Sequence, residues 1–269
     1  MDLGRIDLDH TLSCGQAFRW KKVGRAWEGV IEGRSIRLWQ KGRGVEAESD
    51  LPNDRLESYF RADDDYERII KDISKEAYVA SLVHRFPGLR LLRQDPWECS
   101  ASYILATFSN IPRIKGMIER ICALYGEEIG PGLHAFPEPG AIAENGERAE
   151  TCGLGFRCKR FVEYARRVDR GEVDFEELKG AAYEEAHRSL VRLEGVGDKV
   201  ADCIAVFSLD HLEAFPIDVR IARTLKERYG VSGSYGKMSA LARERFGPYA
   251  GYSQEFIYYA EDRKNLNLE

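Results

Sequence analysis

The sequence predicts an α+β protein, with an N-terminal antiparallel β-sheet domain over residues 1–90 and an all-helical domain over residues 91–269. Three observations carry that expectation. Apolar and polar residues alternate over Phe18-Arg19-Trp20-Lys21 and again between Trp27 and Gln40, as half-buried strands require. After Leu51 the period lengthens to that of a helix, with Leu56, Tyr59 and Phe60 on one side. From Asp95 onward every strong pattern is helical.

Taken in order, the alternation from Trp27 to Gln40 breaks at Glu32-Gly33-Arg34, which marks a hairpin tip, and Lys41-Gly42-Arg43-Gly44 marks a second turn. Asp95-Pro96-Trp97-Glu98 starts a helix, with Asp at the N-cap, Pro at the first position and Glu at the third. The apolar stripe Trp97, Ala101, Ile104, Leu105 and Phe108 follows. Ile114, Met117, Ile118, Ile121 and Tyr125 form a second helix, and Phe161 to Val168 lies on a third. No internal repeat or low-complexity segment interrupts the chain.

With 269 residues, 43% of them hydrophobic and 32% charged, the chain can bury a core without disulfides or a metal staple, and wholesale disorder is excluded. No apolar run approaches the roughly 20 residues a membrane helix needs. Met1-Asp2-Leu3-Gly4 lacks the basic and apolar blocks of a signal peptide. An intracellular protein, in cytoplasm, nucleoid or nucleus, with no membrane partner, is the expectation. The six cysteines, at 14, 99, 122, 152, 158 and 203, contain no Cys-x-x-Cys pair, so no zinc, iron–sulfur cluster or other cofactor is expected. A net charge of −5 argues against a polyanionic partner, but local patches override net charge. One such stretch, Arg157 to Arg167, carries five bases to one acid and reads either as a solvated helix face or as an anion-binding surface.

The segment richest in chemistry is Leu193-Glu194-Gly195-Val196-Gly197-Asp198-Lys199. Tyr183 to Arg192 upstream is helical, and Val200, Cys203, Ile204 and Phe207 downstream mark an amphipathic helix. A Gly-x-Gly turn between two helices permits a tight reversal and leaves backbone amides bare at a helix N-terminus, an anion site suited to a DNA phosphate and blind to base sequence. The Walker pattern fails on spacing and on the missing Ser or Thr after Lys199. The dinucleotide fingerprint fails because no strand precedes the turn and no third glycine follows. Further on, Phe215-Pro216-Ile217-Asp218-Val219-Arg220 precedes a helix marked by Ile221, Leu225 and Tyr229. Asp218 alone is an ordinary N-cap and Lys199 alone a solvated charge; as a pair flanking one phosphate clamp they are less ordinary.

This hairpin with its lysine, followed by Ile-Asp-Val, resembles the helix–hairpin–helix, Gly/Pro-rich loop and Asp signature (HhH-GPD) of base-excision DNA glycosylases. Further segments resemble the 8-oxoguanine DNA glycosylase/AP lyases within that superfamily: Cys14-Gly15-Gln16-Ala17-Phe18-Arg19-Trp20, Asn110-Ile111-Pro112-Arg113-Ile114-Lys115-Gly116-Met117, Gly153-Leu154-Gly155-Phe156-Arg157, and Gly247-Pro248-Tyr249-Ala250-Gly251-Tyr252-Ser253-Gln254. Together they span nearly the whole chain in order. The four C-terminal cysteines of the iron–sulfur members are absent.

The resemblance implies an HhH-GPD helical domain and a bifunctional enzyme of base-excision repair. Such an enzyme flips 8-oxoguanine out of double-stranded DNA, expels it through a lysine Schiff base and cleaves the strand by β-elimination. Lys199 matches the nucleophile, and Asp218 matches the carboxylate that stabilises positive charge on the sugar. Gly195, Val196, Gly197 and Arg220 match phosphate contacts. The Gly15 carbonyl matches the acceptor for the N7–H that 8-oxoguanine carries and guanine lacks. Gln254 matches the reader of the Watson–Crick edge, with Tyr258 and the Cys203 thiol on opposite faces of the base. Arg113 and Arg157 match the pair that holds the orphaned cytosine, with Asn110, Phe156 and Phe108 at the wedge.

Three positions depart from the family pattern. Phe108 stands where an asparagine run is frequent, which points to apolar insertion into the duplex. Arg220 replaces a frequent His, and Phe156 a frequent Tyr. Two rival readings remain at this level, a glycosylase for an alkylated purine and a non-enzymatic DNA-binding module. The lysine speaks against both. The protein is expected to act on DNA as a monomer.

Overall fold

The computed structural model describes residues 3–42 and 44–265. The chain enters through a short helix, α1 (Leu8–Ser13), capped by Asp7, whose carboxylate accepts the His10 amide at 2.9 Å. Strands were expected in this region, but six residues are too few to display a helical period. Phe18–Trp20 is likewise irregular, and the first strand begins only at Lys21.

Four strands, β1 (Lys21–Val23), β2 (Ala26–Ile31), β3 (Arg34–Lys41) and β4 (Gly44–Glu48), form an antiparallel meander in sequence order. Ile31 pairs with Arg34 across a two-residue turn in which Glu32 and Gly33 both take positive φ, 49° and 69°. That matches the twist of the strands and marks the expected hairpin tip. In the second expected turn Lys41 pairs with Gly44, while Arg43 lies outside the described residues. Gly29 on β2 is required for packing, since a Cβ there would stand 2.5 Å from the Trp20 ring.

Helices α2 (Asn53–Tyr59), α3 (Tyr66–Ile73) and α4 (Ala77–Arg85) follow. The described residues form two buried clusters. The smaller gathers Leu3, Trp20, Ile36, Leu38, Leu56 and Phe60 around the sheet. The larger takes Ile69, Ile73, Val79 and Leu82 from α3 and α4 and joins them to the C-terminal helices. Gln16 bridges the two: its amide donates to the Arg90 carbonyl at 2.8 Å, and its Oε1 accepts the Leu92 amide at 2.8 Å.

Beyond an irregular stretch over residues 86–95 come α5 (Pro96–Ala106), α6 (Ile111–Tyr125), two short strands β5 (Glu128–Gly130) and β6 (Leu133–His134), then α7 (Pro139–Glu144) and α8 (Arg157–Asp169). Helices α9 (Phe175–Gly180), α10 (Tyr183–Val191), α11 (Asp198–Ser208), α12 (Val219–Tyr229), α13 (Tyr235–Phe246) and α14 (Ala250–Asn265) follow. The expected cap of α5 forms, with Asp95 accepting the Glu98 amide at 2.8 Å. Two expectations are corrected. The region after Asp95 is not wholly helical, because β5 and β6 pair as a small antiparallel sheet whose strands are too short to alternate visibly. The stripe of α5 ends at Leu105, and Phe108 leaves the helix with φ +50°.

Helix α11 is the axis of the helical layer. Every residue from Val200 to Ser208 is buried, where an amphipathic helix was expected. Its small residues let neighbours pack on all sides, and its one buried acid is satisfied: Asp202 accepts from Tyr183 of α10 at 2.6 Å and from Tyr235 of α13 at 2.5 Å. Among the described residues no helix is long and apolar enough to cross a membrane, and no cluster of side chains could hold a metal ion.

Candidate active site

The hairpin between α10 and α11 is built by its glycines. Gly195 takes φ +91°, and a Cβ there would meet Arg160 at 3.2 Å and Ile104 at 3.5 Å, so conformation and space both require glycine. The amides of Gly195 and Gly197 make no hydrogen bond among the described residues, which leaves them available to an anion at the N-terminus of α11. Val196 differs from expectation. Its side chain is buried and its amide donates to the Leu193 carbonyl at 3.1 Å, so it anchors the turn and offers no free amide.

Lys199, half-buried in the first turn of α11, places its ammonium 4.9 Å from the centre of the Tyr103 ring and beside the Cys203 thiol one helical turn on. Burial pushes that thiol up to about 11 despite the lysine, so it stays protonated at neutral pH. Asp218 caps α12, accepting the Ile221 amide at 2.8 Å. The residue before it is tied to the lysine's own helix, because the Ile217 amide donates to the Tyr235 hydroxyl at 3.2 Å and Tyr235 holds Asp202 of α11. Sequence reasoning missed the carboxyl of Glu255, which burial raises to about 7 and whose ionisation the charges of Lys199 and Asp218 influence in opposite directions.

Gly15 and Tyr258 come together as the sequence reading requires. Gly15 has φ +94°, and a Cβ there would lie 3.2 Å from Ile111 and 3.5 Å from the Tyr258 ring. Its position is set by the carbonyl of the next residue, Gln16, which accepts from Gln94 at 2.8 Å and Tyr103 at 3.1 Å. Gln254 on α14 is 4% exposed, and its Oε1 has no hydrogen-bond partner among the described residues. An unpaired buried amide oxygen is costly unless a ligand completes it. A cavity of about 320 Å³ opens beside Gly15, lined by Ile111, Lys115, Trp20 and Trp27 among others; it does not reach Lys199. Arg220, expected on a phosphate, is ion-paired with Asp262, and its guanidinium stands 5.5 Å from the centre of the Tyr258 ring.

The residues expected at the wedge, Phe108, Phe156 and Asn110, are exposed. Phe108 is 89% exposed and Phe156 56%, with ring centres 6.4 Å apart. Asn110 caps α6 through the Arg113 amide at 3.0 Å, which presents the exposed Arg113 side chain at the start of that helix. Arg157 departs from expectation. At 2% exposed, it donates through Nε to the Thr107 carbonyl at 2.7 Å and through its terminal nitrogens to Phe108 at 2.9 Å and Leu154 at 3.3 Å. It pins the loop that displays Phe108, so its donors are spent on backbone and not held out for a base. Within the basic stretch, Arg166 and Arg167 form ion pairs, whereas Lys159 and Arg160 are exposed and make none among the described residues. The cationic surface is thus Arg113, Lys159 and Arg160 beside the wedge and hairpin.

A family model described as 8-oxoguanine DNA glycosylase, N-terminal domain, matches residues 1–99. The N-glycosylase/DNA lyase of Arabidopsis thaliana is 29% identical over 283 residues, covering 95% of this chain and 77% of its own. The 8-oxoguanine glycosylase/lyase of Clostridium acetobutylicum has been solved in complex with double-stranded DNA containing cytosine opposite 8-oxoguanine. It superposes with a TM-score of 0.90 at 30% identity, covering 97% of this chain and 93% of that one. The 3-methyladenine DNA glycosylase of Archaeoglobus fulgidus shares the fold alone, with a TM-score of 0.77 at 21% identity and coverage of 96% of each chain. Relatives named for different lesions thus share one architecture, that of a DNA glycosylase. With 30% identity over nearly the full length of both chains, the chain belongs to the 8-oxoguanine DNA glycosylase family.

Proposed function

We propose that the protein is a bifunctional glycosylase/lyase that removes 8-oxoguanine opposite cytosine from double-stranded DNA, with Lys199 as nucleophile and Asp218 as electrostatic partner. The observation that carries this is a lysine in the first turn of the hairpin helix α11 and a carboxylate capping α12, the charges of both acting on the buried Glu255 carboxyl. The relative bound to a duplex with cytosine opposite 8-oxoguanine supports the choice of lesion. The free Gly195 and Gly197 amides, with Arg113, Lys159 and Arg160, take the phosphates. Phe108 and Phe156 fill the space left by the extruded nucleotide. The Gly15 carbonyl accepts the lesion's N7–H and repels the lone pair of guanine; Gln254 supplies its unpaired Oε1 to the donor groups on the Watson–Crick edge.

The chemistry then follows. The Lys199 Nζ lone pair bonds to C1′ as the C1′–N9 bond breaks, and the base leaves with that electron pair. Asp218 stabilises the positive charge on the sugar while the bond is breaking. The C1′–O4′ bond then breaks as a proton moves from the lysine nitrogen to O4′, giving a protonated imine; a C2′ proton passes to water, and the C3′–O bond breaks with the 3′ phosphate leaving on that electron pair, which cleaves the strand. The protein is proposed to act as a monomer, in whichever compartment holds the DNA. The test is single-turnover cleavage of duplexes containing 8-oxoguanine, 3-methyladenine or undamaged guanine opposite a pyrimidine. Selective cleavage at 8-oxoguanine supports the reading, and a faster reaction at the alkylated base refutes it.

A further inference from the structure

Asp202 is an acid that core packing does not call for. It lies fully buried on α11, three residues and about 4.5 Å of helix rise beyond Lys199. A buried carboxylate costs stability that a well-packed apolar residue would not, and here its partners lead to the reacting residues. Both of its oxygens are committed: Oδ1 accepts from the Tyr183 hydroxyl of α10 at 2.6 Å, and Oδ2 from the Tyr235 hydroxyl of α13 at 2.5 Å. The two tyrosines differ in what lies beyond them. Tyr183 ties α11 to α10, whereas the Tyr235 hydroxyl also accepts the Ile217 amide at 3.2 Å, one residue before Asp218. Burial pushes that hydroxyl well above the ordinary phenol range, so it keeps its proton and remains a donor to Asp202. The Ile217 amide, the Tyr235 hydroxyl and the Asp202 carboxylate form one hydrogen-bonded strut, from the segment carrying Asp218 to the helix carrying Lys199.

Resting on the assignment of Lys199 and Asp218 as the reacting pair, we infer that Tyr235 is a positioning residue which, anchored on Asp202, holds Asp218 in place relative to Lys199. The cap on the Ile221 amide orients the Asp218 carboxylate within α12, but it does not fix α12 against α11. The strut supplies that second constraint. An electrostatic partner contributes fully only when it stands in place before the charge develops, and a displacement of about 1 Å costs on the order of a hundredfold in rate. Tyr235 makes and breaks no bond of the reaction and acts through Asp218. Its loss therefore leaves the Asp218 charge present but free to shift. Once that charge has itself been removed, the strut has nothing left to position.

The test is single-turnover base release from an 8-oxoguanine·cytosine duplex by wild type, Tyr235→Phe, Tyr183→Phe, Asp218→Asn and the Tyr235→Phe/Asp218→Asn double variant, with thermal melts of each. Tyr235→Phe should release the base about tenfold more slowly, with unchanged affinity for a duplex carrying a tetrahydrofuran abasic analogue. The double variant should be no slower than Asp218→Asn alone. Tyr183→Phe removes a hydrogen bond from the same carboxylate, so it should lower the melting temperature comparably yet react at close to the wild-type rate. A wild-type rate in Tyr235→Phe overturns the inference. Equal rate losses in the two Phe variants also overturn it, as does a loss that persists undiminished in the Asp218→Asn background; both are marks of a general packing defect. Should Tyr235→Phe fail to fold, Asp202→Asn, which leaves one acceptor oxygen for two hydroxyls, takes its place in the same cycle under the same criteria. A wild-type rate in Asp218→Asn alone refutes the Asp218 assignment and the positioning role with it. A loss there beside a wild-type rate in Tyr235→Phe refutes the positioning role alone.

Discussion

Replacing Arg157 with Met keeps the buried hydrocarbon stem and removes the guanidinium. The wild-type side chain donates to the Thr107 carbonyl through Nε at 2.7 Å and again through a terminal nitrogen, to Phe108 at 2.9 Å, and through a weaker fourth bond at 3.3 Å to Leu154. Hydrogen bonds from a charged donor contribute about 1.5–3 kcal/mol each, and releasing a buried cation from desolvation returns part of that sum. The Arg113 cation, close enough to disfavour charge on Arg157, adds to what is returned. A net loss of about 2–3 kcal/mol in unfolding free energy is expected. Phe108 is held at φ +50°, a conformation costing about 1–2 kcal/mol for an L-residue, so without the pin the loop relaxes and the wedge is misplaced. Urea unfolding, with single-turnover cleavage of 8-oxoguanine opposite each of four bases, measures both effects. The loop-pin role predicts lower stability and a rate loss common to all four duplexes. Unchanged stability with loss of the cytosine preference alone would make Arg157 a base reader and refute this reasoning.

Asp218→Asn should retain the cap on α12, because Asn serves nearly as well, and lose about a hundredfold or more in the rate of base release; thermal melts and single-turnover assays check the two parts. Arg113→Ala should flatten the preference for cytosine by about 1–3 kcal/mol, whereas a mere phosphate contact would weaken all duplexes alike and lower the salt dependence; cleavage opposite four bases at fixed salt distinguishes them. Burial alone would raise the Asp210 carboxyl, but Arg61, Arg93 and Lys179 hold it at about 2. A carboxyl lowered on folding adds stability above its unfolded value near 4 and loses it as pH falls through 2. Asp210→Asn should therefore cost at least about 2 kcal/mol at pH 7, a gap that closes between pH 4 and 2 in denaturant titrations.

The features legible in the sequence are those with local causes. Asp95-Pro96 and Glu32-Gly33 act within a few residues, so a helix start and a hairpin tip could be read directly. Lys199 and Asp218 could be placed at helix N-termini for the same reason. What was hidden depends on distant packing. Glu255 carries no local signal, yet it is 2% exposed and the charge of Lys199 on α11 and the Cys14 thiol beyond α1 act on it. Arg157 looks like the first of five surface bases, and only the loop at Thr107, fifty residues away, turns it inward. Helix α11 looks amphipathic because Asp202 interrupts its apolar run, and the tyrosines that satisfy that acid lie on α10 and α13. Elements of two to six residues, such as α1 and β6, carry too short a period to read.

The central claim is that Lys199 forms a covalent bond to the sugar. Borohydride added during reaction with an 8-oxoguanine·cytosine duplex reduces such an imine to a stable amine, and proteolysis with mass spectrometry locates it. The account predicts a single cross-link on the peptide carrying Lys199, and none from a folded Lys199→Gln that still binds the lesion duplex. A cross-link elsewhere, or trapping that survives Lys199→Gln, contradicts it.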